Sequence, residues 1–177
     1  MIRMEIIGGI ARLLIDQPLK RNAMTTAMFE ELPALLAEAV ADPDIRAIVL
    51  TSARAKLFCA GADIGELSTH AGDKAWRNAN QAAINRAQHA LAGAPKPTVA
   101  FIDGDCIGGG CGMALACDIR VATPRARFGI TPARLGLVYP LHDTRLLVEL
   151  VGPGQAKRML YTGMILDAEE ALAIGLV

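Results

Sequence analysis

Two short stretches decide the fold: Phe58-Cys59-Ala60-Gly61-Ala62-Asp63-Ile64 and Ile107-Gly108-Gly109-Gly110-Cys111-Gly112. Each follows an aliphatic run that reads as a strand, residues 45–51 before the first and 98–103 before the second. In the first stretch, small residues let a ligand approach the backbone, and glycine permits unusual dihedrals. In the second, three glycines open a helix, whose first N–H groups have no partner within it and lie at the positive end of its dipole. The pattern is neither the dinucleotide fingerprint nor the P-loop. Singly, the first stretch also reads as a plain strand-to-helix loop and the second as close helix packing. Together, two strand-end loops with approachable N–H groups can converge on one oxygen, which is the plan of an oxyanion hole.

Outward from these loops, the chain alternates strands and helices. Residues 4–16 read as two strands around Gly8-Gly9, ended by Asp16-Gln17-Pro18. A polar turn follows, Lys20-Arg21-Asn22-Ala23. Thr25 or Thr26 can cap a helix that runs to about Ala41, with Pro33 expected to kink it or mark its true start. Residues 65–72 read as polar, irregular and mobile. Residues 74–92 read as a long helix, 118–122 as a strand, and 132–177 as mostly helical, broken near Gly136, Pro140, Pro153 and Gly163. The order indicates the α/β class and one domain over residues 1–177. The ending at Gly175-Leu176-Val177 has no polar tail and reads as a truncation.

Composition narrows the function. Hydrophobic residues make up 53% and aromatic residues only 4%, so the chain offers no stacking platform for bases. Eighteen basic residues balance eighteen acidic ones, which gives no global pull toward nucleic acid or anionic membrane. Cys59, Cys106, Cys111 and Cys117 have no C-x-x-C spacing, and no His pair lies nearby, so no metal site is expected. They read as buried free thiols, which suits the cytoplasm. No apolar run is long enough for a membrane span, and the N-terminus has no signal-peptide pattern.

At this point a resemblance becomes specific: the chain is similar to the crotonase family of enoyl-CoA hydratases and isomerases over nearly its whole length. Five ordered motifs carry it. Pro18 with Arg21-Asn22-Ala23 resembles the family's early motif, and residues 58–64 resemble its first oxyanion loop. Residues 108–111, followed by Ala116-Cys117-Asp118-Ile119, resemble the second. Phe128-Gly129 with Leu135-Gly136-Leu137 resembles the segment after it, and Gly163 with residues 167–171 and 175–177 resembles the approach to the C-terminal helices. The resemblance implies a spiral of ββα turns and a coenzyme A thioester as ligand, with coenzyme A entering as part of the substrate and no separate cofactor. It implies oxyanion donors at the N–H groups of Ala60 and Gly109. It implies a CoA site lined by Ala23, Ala60, Gly61, Ala62, Asp63 and Ile64, with Lys20 and Arg21 toward the phosphates. Family members assemble as trimers or pairs of trimers through C-terminal helices, which would lie beyond Val177.

The chain departs from the family where hydratases carry two glutamates. It has Gly112 at the first position and Pro132 at the second, and neither transfers a proton. The nearby stretch brings Tyr139, His142 and Asp143 into the region that should border the thioester. Tyr139 also reads as packing, His142 as a surface or capping histidine, and Asp143 as the N-cap of the next helix. His70 and His89 are expected to face solvent, and Glu66 is a reserve acid. Three functions stay open: a hydratase or isomerase with a replaced acid/base set, a decarboxylase or C–C lyase acting on a malonyl-type thioester, and a non-catalytic acyl-CoA-binding subunit.

Overall fold

The computed structural model describes residues 1–177. Strands β1 (Ile2–Ile7) and β2 (Ile10–Ile15) form an antiparallel hairpin, with Gly8 and Gly9 at φ 58 and 78 as its tight turn requires. Helix α1 (Thr26–Ala41) begins where the Thr25 side chain accepts a hydrogen bond from Met28 N. It runs on through Pro33, which neither starts nor ends it. Met28, Phe29, Leu32, Leu36 and Ala39 form its buried stripe at helical spacing.

Strand β3 (Ala47–Ser52) is followed by α2 (Ile64–Thr69) and α3 (Lys74–Ala92). Then come β4 (Thr98–Ile102), β5 (Asp105–Ile107) and α4 (Gly109–Leu115). The remainder is β6 (Ile119–Ala122), β7 (Arg127–Gly129), α5 (Leu141–Thr162), β8 (Ile165–Leu166) and α6 (Ala168–Ala173). Helix α5 is interrupted at Gly152, which lies at φ 73 and precedes Pro153.

The larger sheet has the order β1-β2-β3-β4-β6, parallel except for the first hairpin. The smaller sheet is β5-β7-β8. Cys59 forms a parallel bridge to Cys106 of β5, which extends the smaller sheet by one position. Successive turns therefore place a strand in the large sheet, a shorter one in the small sheet, and then a helix. This is the spiral of ββα turns that the motifs imply. Leu13, Ile15, Ile48, Leu50, Ala100 and Ile102, all at most 1% exposed, supply the core of the large sheet.

Two local features differ from the sequence reading. Residues 64–69 form a helix because the Asp63 side chain accepts from Gly65 N and caps it. Glu66 of that helix accepts from both Thr26 N and Thr26 Oγ1, which seats α2 against the start of α1 and gives the reserve acid a structural task. Strands β5, β7 and β8 are three, three and two residues long, too short to show alternation in sequence. All four cysteines are buried and free.

Candidate active site

The site forms where the two quoted loops meet. Asn22, fully buried at φ 57, anchors the first loop. Its Nδ2 donates to Ser52 Oγ at 2.8 Å and Phe58 O at 3.0 Å, and its Oδ1 accepts from Gln17 N at 2.9 Å. Asn22 lies inside a motif read from the sequence, yet its part as a tie between three chain segments was not foreseen. An Asn in a tight polar turn is the signal that could have found it.

Met24 pairs with Ala62 as an isolated parallel bridge: Met24 N donates to Gly61 O at 2.7 Å, and Asp63 N donates to Met24 O at 2.9 Å. In such a bridge the flanking peptide groups face the partner, so the N–H of Ala62 faces the other way. It has no acceptor in the protein. Ala60, the donor expected from the sequence, is committed elsewhere: its N–H donates to Arg21 O at 3.1 Å. The first loop therefore offers Ala62, not Ala60, as its open donor.

The second loop comes up against Ala62. Gly109 is the first residue of α4, so its N–H has no partner within the helix. A Cβ on Gly109 would lie 3.3 Å from Ala62 N. A Cβ on Gly61, already at φ 101, would lie 3.0 Å from Ile107 O and 3.3 Å from Gly109 N. Gly110 has no room for a side chain either, since a Cβ there would run into Cys59 O. Small residues on both loops thus bring two unpaired N–H groups to one gap.

An open cleft of about 510 Å³ leads to this gap, lined by Lys20, Arg21, Ala23, Ala60, Ala62, Asp63, Ile64 and Ile107, among others. The structure thus gathers most of the residues expected on the CoA side. Their charges are not equivalent. Lys20 Nζ lies 2.5 Å from Asp63 Oδ2, and this contact holds the Asp63 carboxyl below its usual range. Arg21 is exposed and has no ion-pair partner, so it is the unengaged cation of the cleft.

The three candidate acid/base residues separate. Tyr139 is buried, and its hydroxyl donates to Gly108 O at 3.2 Å, next to the second loop. Burial, with the charge of Asp143 adding to it, pushes its phenol well above the usual range, so it stays protonated. Asp143 is 2% exposed and lies in the first turn of α5, but the residue preceding that helix is Pro140, so Asp143 does not cap it. Burial raises its carboxyl to about 6, with the Gln88 amide acting the other way. His142 stacks on the exposed His89 of α3, with ring centroids 4.4 Å apart, and lines one cleft with Tyr139. Burial, then the His89 charge, lowers its pKa. His70, expected in solvent, stacks on Trp76. Pro132 and Ala133 line a neighbouring cleft of about 210 Å³ with Tyr139 and bring no titratable group to it.

The enoyl-CoA hydratase/isomerase family model matches residues 5–177. A short-chain-enoyl-CoA hydratase of Clostridium acetobutylicum is 37% identical over 177 residues, which cover 98% of this chain and 66% of that protein. The chain spans about two thirds of the length of the curated relatives it matches. The crystal structure of an enoyl-CoA hydratase/isomerase family protein from Hyphomonas neptunium superposes with a TM-score of 0.96 at 43% identity, covering 99% of this chain and 67% of the other. That of an enoyl-CoA hydratase from Bacillus anthracis gives 0.92 at 31% identity, covering 99% and 68%. No helix here is long and apolar enough to cross a membrane. With the spiral of ββα turns, the paired loops and these matches together, the chain belongs to the enoyl-CoA hydratase/isomerase, or crotonase, family.

Proposed function

We propose that this chain carries the catalytic core of an acyl-CoA enzyme that stabilises a thioester enolate. The observation that carries the reading is the pair of unpaired N–H groups, Ala62 and Gly109, facing one gap at the end of an open cleft. A thioester carbonyl oxygen in that gap accepts from both. As charge develops on the oxygen, both hydrogen bonds strengthen, and the donors need no reorganisation because the backbone already fixes them. The CoA portion lies along the cleft, with Arg21 as the available cation for its phosphates and Ile64 exposed at the rim. Gly112 and Pro132 supply no carboxylates, so hydration by paired glutamates is not the chemistry this wall supports. Migration of a double bond through the enolate needs only one proton-transfer group and is the favoured reaction.

A second reading, loss of CO2 from a malonyl-type thioester, is supported by Tyr139, a buried neutral phenol beside Gly108 that can protonate the resulting enolate. Incubation with enoyl and malonyl-type CoA thioesters, followed by mass, tests both. Double-bond migration supports the first, and CO2 loss with enoyl thioesters untouched supports the second. Failure to bind any CoA thioester sinks both.

A further inference from the structure

The wall beside α4 carries an arrangement that enolate stabilisation alone does not use. Gly112 follows Gly109 by three residues, so the two positions share a face of α4. A Cβ at position 112 would lie 2.9 Å from Asp143 Oδ2 and 3.2 Å from its Cγ, and it would collide with Gln88 Nε2. The space that a side chain at 112 would take is therefore filled from outside, by a carboxylate from α5 and an amide from α3. Gln88 is fully buried and Asp143 is 2% exposed. Gln88 Nε2, Gln88 Oε1 and Asp143 Oδ1 make no hydrogen bond of good geometry, although the Gln88 amide lies close enough to favour the ionised Asp143 carboxyl, and no cation pairs with Asp143. Burying such atoms unpaired is costly, and a fold keeps them where they have another use. If Asp143 served only to place negative charge at the start of α5, nothing would explain why its carboxylate and Gln88 meet over Gly112.

We propose that Asp143 is the proton-transfer group of this site, seated in the space that glycine leaves open at 112 and oriented by Gln88. The proposal rests on the enolate reading above. The Asp143 carboxylate removes the α-proton of the thioester, and the C–H electron pair passes into the enolate. The oxygen charge is received by Ala62 and Gly109. The neutral carboxyl, whose proton exchanges with solvent, then delivers a proton either to the α-carbon or, in a β,γ-unsaturated thioester, to the γ-carbon, which moves the double bond into conjugation. One carboxyl, cycling between its two protonation states, completes the reaction without a second reactant. Gln88 is a positioning residue. The other titratable groups around the carboxyl are Tyr139 and its chain neighbour His142, which is stacked on His89.

The test is deuterium uptake from D2O into 3-hexenoyl-CoA and its conversion to the conjugated isomer, read by mass and absorbance, with binding measured separately. Asp143→Asn should keep binding within about threefold and lose exchange by roughly 100-fold or more, the range of a lost general base. Asp143→Glu should recover part of it. Gln88→Met should move the pH midpoint of exchange upward, because the amide favours the ionised carboxyl; a merely structural glutamine would leave the midpoint in place. Gly112→Ala, which crowds the carboxylate without altering it, is the second probe and should lower exchange at least about tenfold with binding kept. Exchange by Asp143→Asn within about threefold of the parent would overturn the proposal. So would a parent chain that binds the thioester but exchanges nothing. A parent that does not bind it overturns the enolate reading as well.

Discussion

The donor loops meet at the first turn of α4 and the Asp143–Gln88 pair packs over Gly112 of the same helix, yet the two are held by different means. Ala62 and Gly109 owe their positions to backbone: a bridge to Met24 on one side and the first turn of α4 on the other. Around them most polar groups are paired, as in the hydrogen bonds of Asn22 and the Lys20–Asp63 contact. Over Gly112, Asp143 and Gln88 are held by packing, and three of their buried polar atoms lack partners. A backbone donor survives most side-chain changes, so that half of the site can stay constant while the chemistry beside it varies. A packed carboxylate depends on its neighbours, above all on the missing side chain at 112.

The contrast can be attacked most directly at Gly109. Proline is tolerated at the first position of a helix but has no N–H, so Gly109→Pro should lower turnover about 100- to 1000-fold, with some loss of thermal stability because a Cβ there already meets Ala62 N at 3.3 Å. A fall of less than tenfold would remove Gly109 from the donor pair.

The next effect in size is on stability. Asp143 titrates near 3.8 when unfolded and about 6 when folded, so its stabilising contribution is complete below pH 3.8 and is lost as pH rises through 6. Asp143→Asn should therefore be more stable than the parent by up to about 3 kcal/mol above pH 7, with the gain vanishing near pH 3.5. Urea unfolding at several pH values checks this, and a pH-independent difference would contradict it. Gly112→Ala should cost about 1–3 kcal/mol through overpacking. That cost should shrink when Asp143 is also cut back to alanine, giving a measurable coupling.

The smallest expected effect lies in the cleft. Arg21→Ala should weaken CoA binding several-fold with a marked salt dependence, whereas Lys20→Met should matter less for affinity because Lys20 already faces Asp63.

Much of this was legible in the sequence because it depends on local pattern. The α3 boundaries, the Thr25 cap and the two small-residue loops all follow from periodicity, capping and glycine. Choosing between Ala60 and Ala62 was not legible, since it depends on which way each peptide group turns once Met24 and Arg21 arrive from a distant segment. Gln88 was missed because a glutamine within a helical run reads as solvated. Its only signal is that it falls eight residues after the buried Asn80, on the face α3 buries. Helix α2 was missed because its residues are polar and its cap, Asp63, was read as part of the ligand loop.

The buried thiols give the loops a built-in reporter. Cys59 sits in the first loop and Cys111 in the second, and burial pushes the Cys59 thiol up to about 12. At neutral pH its reactive thiolate is therefore scarce. An alkylating reagent added to the folded chain should therefore find almost nothing to modify until the loops part. The time course of labelling, with and without a CoA thioester, would then count how often the two loops separate and whether a ligand bridging them holds them shut.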